Sequence, residues 1–285
     1  MEKLTDLKYI RALMEEQGIT FKKKFGQNFL TNEGVLSRIA ENADRGVLEI
    51  GPGIGSLTQK LCENAEKVVA CEIDSDLIPI LEKTLADFDN IEVINADIMK
   101  VDLPALIAEK FGDMPVSVCA NLPYYITTPV IMLLLESGIK FTSVTVMIQK
   151  EVAARLCAPA GSADYGAVTA AVSYYAKAER LFTVSAGNFV PAPKVDSAVV
   201  RLTPYEKPPV EVGDPALMFR VVAAAFGMRR KTLINALSGT FPTLTKEQLG
   251  DVIEGQGLAR DIRGEKLSIA EFARLSDELK KQSVK

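Results

Sequence analysis

The chain has 285 residues, 48% of them hydrophobic, and is therefore long enough to bury the core of one large domain and a small one. A net charge of −4 argues against a protein coated in positive charge, and the absence of histidine excludes His-based triads and His-ligated metals, so we expect no metal site. The four cysteines show no C-x-x-C spacing, which predicts reduced thiols. Because the N terminus lacks a signal-like pattern and no apolar run is long enough to span a membrane, we expect a cytoplasmic protein.

Residues 1–45 are predicted to form an N-terminal extension of helices and a loop. Apolar residues recur at helical spacing over 5–17 and indicate an amphipathic helix, a loop follows at 21–30, and a second helix is expected from about 32 to 42. The apolar face of the first helix is expected to be core or a docking surface.

Short apolar runs then alternate with helical stretches, a pattern typical of βαβ units around a parallel sheet. Strands are predicted near 46–50, 67–73, 91–95, 116–121 and 143–149, with a final pair at 180–188 and 198–203. Seven strands ending in a hairpin indicate an α/β, Rossmann-like fold with a seven-stranded, mostly parallel sheet.

A change of composition marks the end of this region. Prolines, charges and Gly213 between Pro204 and Pro215 indicate a linker, and after it only helices are predicted, at about 215–238, 245–254 and 268–281. The sequence therefore predicts two domains, a large one over 1–208 and a small all-helical one over 209–285.

A glycine-rich turn, Gly51-Pro52-Gly53-Ile54-Gly55, follows the first strand of the predicted sheet, and glycines let the backbone turn tightly and approach a ligand closely. Glu72 ends the next strand 21 residues after Gly51, the offset at which an acidic side chain meets ribose hydroxyls. A plain glycine turn in a structural βα unit is one alternative. A nicotinamide site is weakened, though not excluded, because the pattern G-x-G-x-x-G is not matched.

Two further polar segments follow strand ends of the same sheet, Asp97 and the turn at 121–124. We expect the Asn121 side-chain oxygen and the Leu122 carbonyl to accept the hydrogens of an adenine N6, while Pro123 keeps Leu122 extended. Tyr124 should stack on the target base. Because ligands bind outside the carboxyl ends of strands in open α/β sheets, the four strand-end segments favour S-adenosylmethionine and a class I methyltransferase.

Seven segments carry a family resemblance over nearly the whole chain, at 24–30, 49–53, 72–74, 97, 121–124, 188–197 and 225–233. Together they resemble the KsgA (RsmA) family of small-subunit ribosomal RNA adenine N6,N6-dimethyltransferases. Ala192 is a small departure, since many members carry proline there. The resemblance implies an rRNA (adenine-N6,N6-)-dimethyltransferase that modifies two adjacent adenosines in the 3′-terminal hairpin loop of 16S ribosomal RNA during ribosome biogenesis.

The resemblance also implies which residues bind the cofactor, S-adenosyl-L-methionine. They are Gln27, Asn28, Leu30, Gly51, Gly53, Glu72, Ile73, Asp97, Ile98 and Asn121. Asn28 and Leu30 are expected to close over the methionine end, and Gly51 to lie beneath it. Asp97 is expected to bind the adenine amine, and Asn121 to bridge cofactor and target.

The target base must leave its stack in the RNA to reach this pocket. Phe189 is expected to cover the face opposite Tyr124, with ordinary core packing as the alternative for either ring. The expected phosphate contacts, each with a solvated charged face as its alternative, are Lys22, Lys23, Lys24, Lys194, Arg229, Arg230 and Lys231. We expect the partner to be small-subunit ribosomal RNA or the assembling 30S subunit, and the protein to be a monomer.

Three other functions are open. A 23S ribosomal RNA adenine N6-methyltransferase of the macrolide-resistance type shares the fold and the turn at 121–124, but the segments at 25–30 and 229–233 favour the small-subunit enzyme. A non-catalytic RNA-binding assembly factor is disfavoured by the intact strand-end residues. A nicotinamide oxidoreductase leaves the turn at 121–124 unexplained.

Overall fold

The computed structural model describes residues 4–16, 18 and 28–283, and seven of the strands within them form one sheet. The strands are β1 (Phe29–Leu30), β2 (Gly46–Ile50), β3 (Lys67–Glu72), β4 (Ile91–Asn95), β5 (Val116–Asn121), β6 (Val144–Gln149), β7 (Ala176–Val184), β8 (Phe189–Val190) and β9 (Ser197–Pro204). The sheet has the order β4-β3-β2-β5-β6-β9-β7, while β1 and β8 pair separately.

Parallel pairing joins β4, β3, β2, β5 and β6, and β9 runs antiparallel to β6. The predicted seven-stranded, mostly parallel sheet is therefore confirmed. Strand β2 is buried along its whole length, as expected for an apolar run covered on both faces. Because β4, β3, β2 and β5 are neighbours, the carboxyl ends of these four strands lie side by side.

Helices alternate with most of the strands and continue beyond the last one. They are α1 (Leu7–Glu16), α2 (Glu33–Ala40), α3 (Ser56–Asn64), α4 (Ile78–Thr84), α5 (Leu103–Phe111), α6 (Thr127–Glu136), α7 (Lys150–Leu156), α8 (Ala167–Tyr175), α9 (Pro215–Gly227), α10 (Leu233–Ser238), α11 (Lys246–Gly255) and α12 (Ile269–Ser283). Among the described residues, none of these helices is long and apolar enough to cross a membrane.

The N-terminal helix α1 supports the glycine turn from behind. Its buried Ile10 and Leu13 pack in one apolar cluster with Ile54 of the turn and with Leu77. The apolar face of α1 is therefore core.

The chain divides into two compact units with boundaries that differ from the predicted ones. The units are Met1–Ala153 with Ala178–Pro204, and Ala154–Lys177 with Tyr205–Lys285. The second unit thus contains residues 154–177, which the sequence interpretation placed within 1–208. The reason is the apolar face of α8, since its Ala170 and Tyr174 belong to the same buried cluster as Phe272 of α12.

The basic run after α9 does not lie on a helix, so the single helix predicted over 215–238 is corrected. Helix α9 ends at Gly227, because Met228 leaves helical geometry with φ −123° and ψ 51°. The Lys231 N–H then donates to the Met228 carbonyl at 2.8 Å, which closes a turn ahead of α10. Arg229 and Arg230 are therefore presented on an exposed turn.

Candidate functional site

A cavity of about 250 Å³ lies at the carboxyl ends of β2 to β5. It brings together the predicted cofactor-binding and catalytic residues that the structure describes, and Phe189 with them. These are Asn28, Leu30, Gly51, Gly53, Glu72, Ile73, Asp97, Ile98, Asn121, Leu122, Pro123 and Tyr124. Gln27 and the predicted RNA contacts Lys22, Lys23 and Lys24 lie outside the described residues. The role of each residue remains a prediction.

The glycine turn forms one wall of the cavity in a conformation that requires glycine. Gly51, Gly53 and Gly55 have φ values of 70°, 63° and 90°, a region that other residues rarely adopt. A Cβ on Gly51 would meet no atom within 4 Å, so space above this residue is open to a ligand. A Cβ on Gly53 would lie 3.1 Å from the Phe29 ring, so a side chain there would have to displace that ring slightly.

Glu72, at the end of β3, is a buried carboxylate held by backbone groups. Its Oε2 accepts the Gly53 N–H at 3.1 Å, and its Oε1 accepts the Asp74 N–H at 2.8 Å. Burial raises the pKa of the carboxyl, and these backbone hydrogen bonds oppose that rise. Because a carboxylate oxygen accepts more than one hydrogen bond, both oxygens still offer lone pairs to donors such as ribose hydroxyls.

Asp97 follows β4 and caps the short turn Ile98–Lys100. Its Oδ1 accepts the Met99 N–H at 3.1 Å, and its Oδ2 lies 3.6 Å from Lys100 Nζ. These contacts fix the carboxylate in the cavity wall, where it can accept a hydrogen bond from an amine.

Glu49 is a buried acid in the cavity wall that the sequence interpretation did not assign. Its Oε2 has no hydrogen-bond partner among the described residues, and burial raises the pKa of the carboxyl to about 8, with the charge of Glu72 acting in the same direction. An acidic residue inside an otherwise apolar strand, two positions before Gly51, was the available signal.

Asn121 and Leu122 present two hydrogen-bond acceptors at the end of β5. The Asn121 Nδ2 donates to the Asn28 carbonyl at 3.2 Å, which leaves the amide oxygen available as an acceptor. Leu122 donates its N–H to the Met147 carbonyl at 3.1 Å, while its own carbonyl receives no hydrogen bond from a described residue. The next carbonyl, of Pro123, accepts the Ile126 N–H and so belongs to the following turn.

The Tyr124 ring is fixed by its hydroxyl. The hydroxyl oxygen lies 3.0 Å from the Oγ of Ser197, a buried residue at the start of β9. This contact holds the hydroxyl end of the side chain in place. The half-buried tyrosine also lines the cavity.

Phe189 is buried and lines the same cavity. It pairs with Leu30 in the two-stranded β1–β8 ladder and packs in an apolar cluster that includes Leu36. Next to it, the Asn188 carbonyl accepts the Thr31 N–H at 2.8 Å. This hydrogen bond holds the segment 28–31 against β8.

The described basic residues lie outside the cavity lining. Lys194 is exposed on the loop before β9, and Arg230 and Lys231 are exposed on the turn after α9. Arg229 instead makes two hydrogen bonds within the protein: its Nη2 donates to the Ala163 carbonyl at 2.7 Å and to the Tyr165 carbonyl at 3.1 Å.

A Rossmann-like sheet with a glycine turn, two acidic strand ends and an Asn-Leu-Pro-Tyr turn around one cavity defines a class I methyltransferase. The family model described as ribosomal RNA adenine dimethylase matches residues 18–281. The chain belongs to this family, which confirms the predicted family, the enzyme class of ribosomal RNA adenine dimethyltransferase and the cofactor S-adenosylmethionine.

Individual relatives agree with this membership. The chain is 49% identical to ribosomal RNA small subunit methyltransferase A of Streptococcus gordonii, over 99% of this chain and 100% of that protein. The corresponding protein of Alkaliphilus metalliredigens is 48% identical, over 98% and 99%. Among solved structures, a dimethyladenosine transferase from Plasmodium falciparum has a TM-score of 0.72 at 28% identity, over 87% of this chain and 95% of that one. The 23S rRNA methyltransferase ErmE has a TM-score of 0.67 at 28% identity, over 89% and 100%.

Proposed function

We propose that this chain transfers methyl groups from S-adenosylmethionine to N6 of two adjacent adenosines in the 3′-terminal hairpin loop of 16S ribosomal RNA, two to each. The substrate is the assembling 30S subunit in the cytoplasm, and the enzyme acts as a monomer. One observation carries the proposal: Asn121 and Leu122 line a cavity together with Glu72 and Asp97, and the hydrogen bond from Asn121 Nδ2 to the Asn28 carbonyl leaves the amide oxygen available as an acceptor. The small-subunit target is supported by the 49% identity to a protein named for that subunit.

The residues of the cavity fit S-adenosylmethionine. Glu72 would accept hydrogen bonds from the ribose hydroxyls, and Asp97 would accept one from the adenine amine. The methionine end of the cofactor would lie in the open space above Gly51. Asn28, Leu30 and Gln27 would hold the methionine end. When bound, this cofactor supplies an electrophilic methyl group on a positively charged sulfur.

The strand-end acceptors address the weak nucleophilicity of adenine N6, whose lone pair is delocalised into the ring. Asn121 Oδ1 and the Leu122 carbonyl would accept the two N6 hydrogens and pull the nitrogen towards a tetrahedral shape. The bond from Asn121 Nδ2 to the Asn28 carbonyl fixes which atom of the amide faces the amine. Pro123 lacks an N–H and restrains Leu122 to an extended conformation. Holding the two reactants in this geometry supplies the largest share of the rate enhancement.

Acceptors from the same pair serve both methyl transfers. After the first transfer N6 becomes acidic, and water or Asn121 can take the proton, so the absence of histidine from the chain is no obstacle. Monomethylated N6 carries one remaining hydrogen, for which a single acceptor suffices. For the second transfer the lone pair must face the cofactor again, so the first methyl group takes the place of the other hydrogen and only one of the two acceptors is used.

The target base would lie between two rings, Tyr124 and Phe189, each contributing roughly 1–3 kcal/mol by stacking. Phosphates of the RNA would be held by the exposed cations Lys194, Arg230 and Lys231, together with Arg229 and Lys22, Lys23 and Lys24.

Methyl transfer to isolated ribosomal subunits tests this function. Small and large subunits from a strain without the enzyme are incubated with the protein and cofactor labelled in the methyl group. We expect label in the small subunits and none in the large ones. Label in the large subunits alone would show the 23S activity instead, and cofactor binding without any transfer would show a non-catalytic assembly factor.

A further inference from the structure

Three large apolar side chains are exposed at the rim of the strand-end cavity. Ile73, Met99 and Tyr125 line it and are 47%, 40% and 57% exposed. The described part of the chain has only four other exposed side chains of this kind, Leu7, Val195, Tyr205 and Met228, and none of those lines the cavity. Exposed apolar groups gathered at one opening indicate a site that a ligand covers.

The three side chains come from three different strand ends. Ile73 directly follows β3, and Met99 lies in the turn that Asp97 caps after β4. Tyr125 follows β5, which lies on the opposite side of β2 from β3 and β4. The rim is thus assembled from both sides of the glycine turn.

Tyr125 lines the same cavity as Asp97 and Glu72. Burial raises the pKa of the phenol, and the charges of Asp97 and Glu72 raise it further. Helix α6, which begins two residues after Tyr125, packs against the turn Ile98–Lys100 that follows Asp97, so these two segments lie close together. The phenol stays protonated there and can donate a hydrogen bond.

We propose that Tyr125 closes over the adenosine half of the cofactor, its ring completing an apolar sleeve with Ile73 and Met99 around the adenine. The inference rests on the proposed function, because S-adenosylmethionine is taken as the ligand. It separates the two neighbouring tyrosines: Tyr124, anchored to Ser197, serves the target base, whereas Tyr125 binds the cofactor. An adenine ring suits this sleeve because its faces are apolar and the amine on its edge can donate a hydrogen bond to Asp97.

Calorimetric binding of two ligands that share the adenosine part tests the assignment. S-adenosylhomocysteine carries the amino-acid chain, and 5′-methylthioadenosine lacks it. We expect Tyr125→Ala to weaken both ligands by the same factor, about tenfold, because the lost contact is to the part they share. Tyr125→Phe, which keeps the ring, should lose only about threefold.

Tyr205→Ala is the matched control, since Tyr205 is also an exposed tyrosine, at 41%, and lies outside the cavity lining. It should bind both ligands as the unmodified protein does. The inference is overturned if Tyr125→Ala binds both ligands normally and loses affinity for small-subunit RNA, if only S-adenosylhomocysteine is weakened, or if Tyr205→Ala shows the same loss. If the unmodified protein binds neither ligand, the proposed function fails as well, which distinguishes that result from the others.

Discussion

The side-chain nitrogen of Asn121 lies 3.2 Å from the carbonyl oxygen of Asn28 and donates a hydrogen bond to it. This bond joins the turn after β5 to the segment that begins β1, although the two residues are 93 positions apart in the chain. It orients the Asn121 amide so that its oxygen is the atom left to accept. One contact therefore connects the expected cofactor side of the cavity with the expected target side.

Asn121→Ala should lower the single-turnover rate of methyl transfer by about 10²-fold or more, because one of the two preorganised acceptors for N6 is removed. The thermal unfolding midpoint should change little, since Asn121 is only half-buried. Asn64→Ala, at the exposed end of α3, is the control and should transfer methyl groups normally. Unchanged transfer kinetics in Asn121→Ala would remove this residue from the mechanism.

The hydrogen bond between Tyr124 and Ser197 should be visible as an energetic coupling. Tyr124→Phe and Ser197→Ala each remove one partner of the same 3.0 Å contact and should weaken transfer to RNA. The double variant should be no worse than the poorer single variant, with a coupling of about 1 kcal/mol in kcat/KM. Strictly additive losses would mean that the hydroxyl does not position the ring.

The buried Glu49 should make the ligand-free protein less stable as the pH rises. Burial raises the pKa of its carboxyl from 4.5 to about 8 in the folded protein. Between these values the folded state keeps a proton that the unfolded state has lost, so the free energy of unfolding falls with increasing pH. The slope is at most about 1.4 kcal/mol per pH unit.

Glu49→Gln removes this titration and keeps the shape of the side chain. Relative to this variant, the unmodified protein should lose stability from about pH 5 to about pH 8, followed by a constant difference. Chemical denaturation of both proteins across that range measures the difference, which includes the repulsion between Glu49 and Glu72 that only the unmodified protein has. A difference that does not vary with pH would show that Glu49 is ionised in the folded protein.

Arg229 and Arg230 should behave differently although they are neighbours. Arg230→Glu should weaken RNA binding and reduce its salt slope by about one unit or more, with no change in thermal stability, because the side chain is exposed. Arg229→Ala should in addition lower the unfolding midpoint by about 2 °C, since it breaks the bonds to the Ala163 and Tyr165 carbonyls. Equal melting curves for both variants would contradict a structural role for Arg229.

Much of the sheet and of the cavity could be predicted, because they depend on the spacing of apolar residues along the chain and on the position of polar residues at strand ends. Runs dominated by apolar residues, such as β2, indicate buried parallel strands, and polar residues at the ends of such runs, such as Asn121, meet at one edge. The polar residues at the strand ends therefore predict where the cavity lies.

Features that depend on long-range packing could not be predicted in the same way. Residues 154–177 read as a continuation of the large domain, but the apolar face of α8 packs with α12 from the far end of the chain. The break after Gly227 interrupts a run of good helix formers and depends on the local backbone at Met228. Tyr125 carries no periodic signal, and only the folded structure shows that it lines the same cavity as Asp97.

The identity of the reaction product tests the central claim most directly. Undermethylated small subunits are treated with the protein and unlabelled cofactor, and fragments of the 3′-terminal hairpin of their RNA are analysed by mass spectrometry. We predict two adjacent adenosines, each carrying two methyl groups on N6, and a largely unmodified hairpin when Asn121→Ala is given the time in which the unmodified protein completes the reaction. Methyl groups found elsewhere in the small-subunit RNA, or no more than one on each adenosine at completion, would contradict it.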